Sequence, residues 1–487
     1  MNQDKTIRSF FACNAFLVVL SLLLIMLFLF REGVPFFAKY HDSRSLYRSA
    51  GLEFVEHLRD AERRHEQLCG KLVQLRSKLA AALSGSPNAR ERLTAFDAFD
   101  NAFSEAADPL RDLAERLSSQ SLATRAAVAS ATVSGRANAP AGTSAATWAR
   151  AALPEVRNIL AALAAQRAHL VEMRPRGLSA ETDAALNAFA HAVEQDRTAL
   201  AETAAAMAAW DPSAPVSAFS TAAAFFFGGE WRTASFWQDY YGILPLFSGS
   251  LLVCAVALSL AVPIGVAAAV HISQVAGRRE RSLVKPAIEF IAATPSVVLG
   301  FFGISVLGGT LRDISHSPWL SWVPGCPFSE RLNALTAGCL LALVATPTIF
   351  TLAEDALGNV SESCKDASLA LGASRLQTIV RVVIPSALPG IVSACLLGFG
   401  RVIGETMIVL LCAGNRVAIP DFSVGAGVIT QPVHTMTGII AQEMGEVAHG
   451  GIHYRALFLV GAVLFCLTML INLIVQHVTR GRVSPVH

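Results

Sequence analysis

Six long apolar runs punctuate the chain, at 9–30 and at about 246–272, 288–309, 332–357, 388–413 and 456–476. The first, SFFACNAFLVVLSLLLIMLFLF, carries no charge over 22 residues. A helix of about 20 apolar residues is long enough to cross a bilayer, so each run predicts a span. Between the first two runs the pattern changes. From about 40 to 230 the apolar positions recur at helical spacing: Leu68, Leu72, Leu75 and Leu79; Phe96, Phe99 and Phe103; Leu110, Leu113 and Leu117; Leu153, Val156, Leu160 and Leu163. Breaks fall at Gly85-Ser86-Pro87-Asn88, from Gly135 to Gly142, and at Pro175-Arg176-Gly177. That spacing predicts about four helices, a bundle outside the membrane. Residues 213–229, ending in Phe225-Phe226-Phe227-Gly228-Gly229, have the composition of an interfacial re-entry segment.

Composition sharpens the class. The chain is 53% apolar and 16% charged, against about 25% charged for a soluble protein. It is an integral membrane protein. The net charge of +2 is dispersed, which leaves nucleic-acid binding without an electrostatic footprint. Acidic and basic residues of the 40–230 segment nearly cancel, and nothing in it resembles a site; scaffold or docking module is the simpler reading, ligand sensing the alternative. The cysteines include no CxxC and lie mostly in apolar runs, so neither a disulfide framework nor a metal site is expected. The first run lacks a small-residue cleavage site after it and is expected to stay as a membrane helix.

Charge asymmetry orients the spans. Eleven Lys and Arg fall in the N-terminus, 273–287, 358–386 and the C-terminal tail, the last holding Arg480 and Arg482, against four in the two short loops on the other side. The excess predicts both termini in the cytoplasm. Trp231, Trp237, Tyr240, Tyr241, Trp319 and Trp322 suit an outer interfacial belt.

Two stretches carry candidate chemistry. GFGRVIGETMIV places Arg401 and Glu405 four residues apart, on one helical face and near mid-membrane. A charge there costs at least about 2.5–3.5 kcal/mol, so it needs a partner or a wet cavity. Arg offers a rigid fork of donors suited to a tetrahedral oxyanion, and Glu405 either holds that fork or competes with the anion; a self-neutralising ion pair is the structural alternative. Thr294-Pro295-Ser296 and Thr346-Pro347-Thr348 put hydroxyls beside helix-breaking prolines, either to repair the backbone or to line a path. His449 and His453 have HxxxH spacing without a third ligand and read as loop residues. The second stretch, DASLALGASRLQTIVRVVIPSALP at 366–389, joins two spans yet is neither polar linker nor span. Its composition predicts a short amphipathic helix on the membrane face, able to push or be pushed. No GxxxxGK[ST], GxSxG or kinase set occurs.

That stretch resembles the EAA motif of ABC-importer permeases: Glu-Ala-Ala, three residues, Gly, nine residues, then Ile-x-Leu-Pro. Here it reads Asp366-Ala367-Ser368, Gly372, and Val382-x-Ile384-Pro385. The stretches YGILPLFSGSLL, PIGVAAAVHISQVA, IEFIAATPSVVLGFFG and GRVIGETMIVLLCAGN, with EMGE and HYRALFLVG, are similar to the C-type membrane subunit of phosphate-specific (Pst) importers, over roughly 240–480. The resemblance implies an all-α membrane protein with six transmembrane helices of the type I importer kind, set in a bacterial inner membrane. Its parts would be a first span at 1–39 and a permease core at 231–487 with its coupling loop at 366–385, the helical insertion at 40–230 being a departure from the compact family pattern. It further implies a sister permease, two cytoplasmic subunits holding ATP and Mg, an outer phosphate-binding protein, and no cofactor on this chain. Arg401 and Glu405, with Thr294 and Ser296, would line the substrate path. Asp366, Ala367, Ser368, Gly372, Ile384 and Pro385 would couple to the ATPase. The alternatives are a permease for sulfate or molybdate, and a transmembrane sensor, which would need a larger cytoplasmic output domain than the chain offers.

Overall fold

The computed structural model describes residues 2–83, 88–133, 141–175, 180–233, 239–320, 322–323, 325–328 and 330–480. Gly85 to Pro87, 135–140, Arg176, Gly177, Trp237 and Arg482, used above as breaks, belt or charge, lie outside them. The chain divides into two compact units, Met1–Lys39 with Phe219–His487, and Tyr40–Ala218.

The first helix is α1 (Asn2–Gly33), whose apolar side chains between 11 and 25 all face outward, as a lipid-facing span requires. Helix α2 (Phe36–Ser49) leads into α3 (Leu52–Ala82), α4 (Ala89–Glu105), α5 (Asp108–Val133), α6 (Ala141–Glu172) and α7 (Ala180–Ala209). The 40–230 segment thus holds more helices than the four expected. One extra break is Gly51, at φ +79°, where a Cβ would stand 2.3 Å from the Trp148 ring, so only glycine fits. The other, Ala106-Ala107, precedes Asp108-Pro109; a proline in the first turn starts α5 and ends the preceding helix. The periodic apolar positions face inward. Leu110, Leu113, Leu117, Val156, Leu160 and Leu163 join Phe54 and Leu58 in one cluster. Leu68, Leu72, Phe96, Phe99 and Phe103 join Phe189 in a second.

The membrane unit resumes with α8 (Ala218–Phe226), whose Phe225 packs edge-on against Phe36. A two-residue ribbon, β1 (Trp231–Arg232) with β2 (Tyr240–Tyr241), precedes α9 (Leu244–Val270). Next come α10 (Arg278–Ala292), α11 (Ser296–Phe302), α12 (Gly308–Ser315), α13 (Ala334–Gly358) and α14 (Glu362–Ala370). The last helices are α15 (Arg375–Thr378), α16 (Ile384–Ile403), α17 (Met407–Cys412), α18 (Met436–Glu443) and α19 (Ile452–Arg480). Six helical stretches are long and apolar enough to span: Phe11–Ser49, Leu244–Val275, Ser296–Ser315, Ala334–Gly358, Arg375–Ile403 and Ile452–Val478. The helical stretches depart from the sequence reading most at the first, which runs on to Ser49, and at the third and fifth, the fifth beginning at Arg375 and not 388. The third span starts at Ser296, not 288, because Pro295 cannot continue α10. The fifth ends at Ile403, not 413.

Helix α13 is the axis of the unit and packs against both α9 and α16. Small residues set the approach: a Cβ on Gly338 would meet Val256 at 2.4 Å, and one on Gly398 would meet Ile349 at 2.6 Å. Lipid supplies no hydrophobic drive between helices, so such close backbone packing is the main attraction. Hydroxyls near the prolines of the spans bond back within their own helices. Thr346 Oγ1 donates to the Ala342 carbonyl at 2.7 Å and Thr351 to Pro347 at 2.9 Å, while Ser393 donates to Pro389 at 2.8 Å. The Thr346 hydroxyl is thus bonded within its own helix, to a carbonyl other than that of Leu343, the one Pro347 leaves without its N–H.

Candidate functional site

Helix α16 carries Arg401 in its last turn and stops two residues later. The chain passes through Gly404, Glu405 and Thr406 without helical structure before α17 begins. Arg401 and Glu405 therefore do not share a continuous helical face, and among the described residues no ion pair joins them. Arg401 is exposed on this chain and Glu405 is half-buried.

The break frees the Glu405 carbonyl, and an elbow at 431–438 takes it up. Thr437 Oγ1 donates to the Glu405 carbonyl at 2.9 Å and Thr435 Oγ1 caps α18 through the Gly438 N–H at 3.1 Å. Ser250 of α9 accepts from the Met436 N–H at 2.9 Å. The elbow presses so closely on α9 that a Cβ on Gly249 would sit 2.1 Å from the His434 carbonyl. His434 is buried; its Nδ1 accepts from the Thr435 N–H at 2.9 Å, leaving Nε2 to donate to Gln442 at 3.0 Å. That pairing fixes a neutral tautomer. Glu405, Ser250, Thr435 and Thr437 line a cavity of about 10 Å³, space for a single water. The sequence pattern flags none of the elbow residues, since Ser, Thr and His there resemble any outer loop.

Thr294 and Ser296 flank the second discontinuity. The Thr294 N–H closes α10 on the Ile291 carbonyl at 3.2 Å, and Ser296 opens α11 after Pro295. Helices α11 and α17 pack together: Leu411 lies against Gly300, and Cys412 Sγ is 3.4 Å from the Gly300 carbonyl. The fold thus pairs the two half-helices that follow the candidate residues. Among the described residues no hydrogen bond links Thr294 or Ser296 to Arg401 or Glu405.

On the other side of the unit, Asp366, Ala367 and Ser368 lie in α14, which ends at a tight elbow. Gly372 has φ +84°, and three backbone bonds close the turn: Leu371 to Ala367 at 3.2 Å, Gly372 to Leu369 at 2.9 Å and Ala373 to Ser368 at 3.2 Å. Ser374 and Gln377 then cap α15 reciprocally. Ser368 and Thr378 hydroxyls, 3.0 Å apart, tie the two arms. The tip presents Leu371 at 89% and Leu376 at 70% exposure, an apolar surface that no described residue covers. The far arm is anchored: Val383 and Ala387 are buried with Phe350, Ala353 and Leu357 of α13, with Ile384 packed alongside and Pro385 in the first turn of α16. The predicted lever is therefore two short arms, the second running through a π-helical turn at Ile379–Val383 into the fifth span.

A neighbouring latch escaped the sequence reading. Glu354 of α13, 2% exposed, accepts from Arg281 at 2.6 Å and Lys285 at 2.8 Å, both on α10. Helix α10 has no buried residue, so this carboxylate is its main polar tether. On the opposite face Glu443 collects Trp231, Thr233 and His453, the last at 2.7 Å.

Residues 261–483 match the family described as the binding-protein-dependent transport system inner membrane component. A probable ABC transporter permease, YqgH of Bacillus subtilis, is 30% identical over 50% of this chain and 73% of its own length. The phosphate transport system permease PstC 1 of Mycobacterium bovis is 32% identical over 50% of this chain and 74% of its own. Among solved structures, an inward-facing MetNI methionine ABC transporter aligns with 49% of this chain and 94% of its own at 17% identity and a TM-score of 0.36. The chain therefore belongs to the permease family of binding-protein-dependent ABC importers, of the PstC-like kind, as a multi-pass inner-membrane transport subunit and not an enzyme.

Proposed function

We propose that this permease forms half of the path of an ATP-driven inorganic phosphate importer working by alternating access. The observation that carries it is Arg401, a guanidinium without an ion-pair partner among the described residues, held where the fifth span breaks. Its fork fits a dehydrated tetrahedral anion, which a broken span lets through without an unsatisfied backbone. Glu405 then sets the release, and Thr294 and Ser296 supply neutral hydroxyls along the way. The names of the PstC relatives favour phosphate among oxyanions.

The exposed Leu371 and Leu376 support docking of an ATPase subunit on the 366–385 elbow. Two such subunits hold ATP and Mg, a sister permease supplies the other half of the path, and an outer phosphate-binding protein loads it. Both termini then lie in the cytoplasm, where the Lys and Arg excess puts them. Uptake of labelled phosphate into vesicles holding the whole assembly tests this: Arg401→Gln should abolish uptake while assembly survives. Sulfate or molybdate, if it displaced phosphate at equal concentration, would favour the other oxyanion reading.

A further inference from the structure

We propose that the Tyr40–Ala218 unit carries a binding site for a small amphipathic carboxylate, an anion with a short hydrocarbon tail, between α6 and α7. A groove of about 410 Å³ runs there, within the usual range of small-molecule pockets. Its walls are methyl groups, Ala161, Ala164 and Ala168 from α6 with Ala201 and Ala204 from α7, and Arg157 and Arg197 stand at its rim. Alanines at helical spacing leave open the space that larger side chains close elsewhere in the bundle.

A stripe of alanines alone would be packing. The second observation is a buried cation beside it. A recess of about 10 Å³, lined by Arg167, shares Ala164, Ala168, Arg197 and Leu200 with the groove. Arg167 is 1% exposed and its guanidinium lies over the Phe103 ring; its Nη1 donates to Asp196 at 2.5 Å, while Nε and Nη2 are buried without a hydrogen-bond partner. Asp196 also takes Arg64 at 2.8 Å, so one carboxylate serves two guanidiniums. His65 nearby, neutral or cationic, cannot offset that charge; burial, then the Arg167 charge, pushes its pKa down to about 4. Glu194 reaches the recess but is held by Arg197 at 2.6 Å, at the surface. A buried donor left unpaired is costly and is normally satisfied by an acceptor. The recess admits one oxygen, the charge excess favours an anion, and the apolar groove suits a tail. Inorganic phosphate would leave the groove unused. This inference does not rest on the transported substrate.

The full chain in lipid nanodiscs, dialysed against labelled hexanoate with empty discs subtracted, tests the site. Saturable binding is expected at one hexanoate per chain. Arg167→Lys keeps the charge and removes the fork; Ala201→Phe fills the groove from an exposed position. Each should weaken binding at least about tenfold, the scale of a charge-assisted hydrogen bond or a blocked pocket. Ala201→Phe should leave the thermal unfolding of the chain unchanged, which separates loss of the site from loss of the fold. No saturable binding, equal binding by Ala201→Phe, or displacement of hexanoate by equimolar phosphate would each overturn the proposal.

Discussion

Gly372 isolates the lever from everything else in the protein. Its φ of +84° is a conformation that L side chains rarely adopt, yet a Cβ added there meets nothing within 4 Å. A substitution therefore acts on the backbone alone. For alanine the left-handed conformation costs about 1–2 kcal/mol, which is roughly a 5–30-fold shift away from the closed turn. A β-branched residue costs more, and asparagine less, because its short amide tolerates the left-handed region. The turn rests on only three backbone bonds, so that penalty falls on the elbow and not on the spans. Coupling, measured as phosphate moved per ATP hydrolysed in proteoliposomes of the whole assembly, should fall in the order Gly, Asn, Ala, Val at position 372. Binding of the permease to its partners should fall less than coupling. Asn and Val variants that matched each other would mean side-chain bulk, and not φ, governs the elbow. A Val variant coupled like the parent would refute the lever.

Arg401→Lys should retain little uptake, since a point charge replaces a bidentate fork; transport at the parent rate would put the anion elsewhere. Replacing Arg281 and Lys285 together with Ala should cost about 2 kcal/mol, because Glu354 is left buried and unpaired while its lost partners were partly exposed. Thermal unfolding of the purified permease measures it, and restoration by Glu354→Gln in the same background is the check. His65 has a folded pKa of about 4 against an ordinary 6.5. The unfolded chain thus binds the proton first, so stability of the insertion should fall as pH drops from 6.5 towards 4, by up to roughly 3 kcal/mol. Denaturant unfolding followed by tryptophan fluorescence reads it, and a His65→Leu chain whose pH slope matched the parent's would remove His65 as the cause.

Much of the architecture was legible from pattern. The apolar runs marked six spans because a bilayer demands an uninterrupted apolar helix, and the rhythm from Leu68 to Leu163 marked the buried faces because one side of each helix must leave water. The spacing from Asp366 to Pro385 marked the stretch between two spans but read as one short amphipathic helix; the elbow at Gly372, with its positive φ, came only with the structure. The tertiary structure alone decided the rest. Ile403 ends the fifth span because Thr437, 34 residues downstream of it, waits to satisfy the Glu405 carbonyl; no local signal in GFGRVIGETMIV contains that partner. Glu354 looks like an ordinary helix-end carboxylate until α10 brings Arg281 and Lys285 to it. Arg167 reads as one charge among many until α7 folds Asp196 against it and leaves two of its nitrogens without an acceptor. Periodicity reports which side of a helix is buried. What a buried polar group meets there depends on chain brought in from far away.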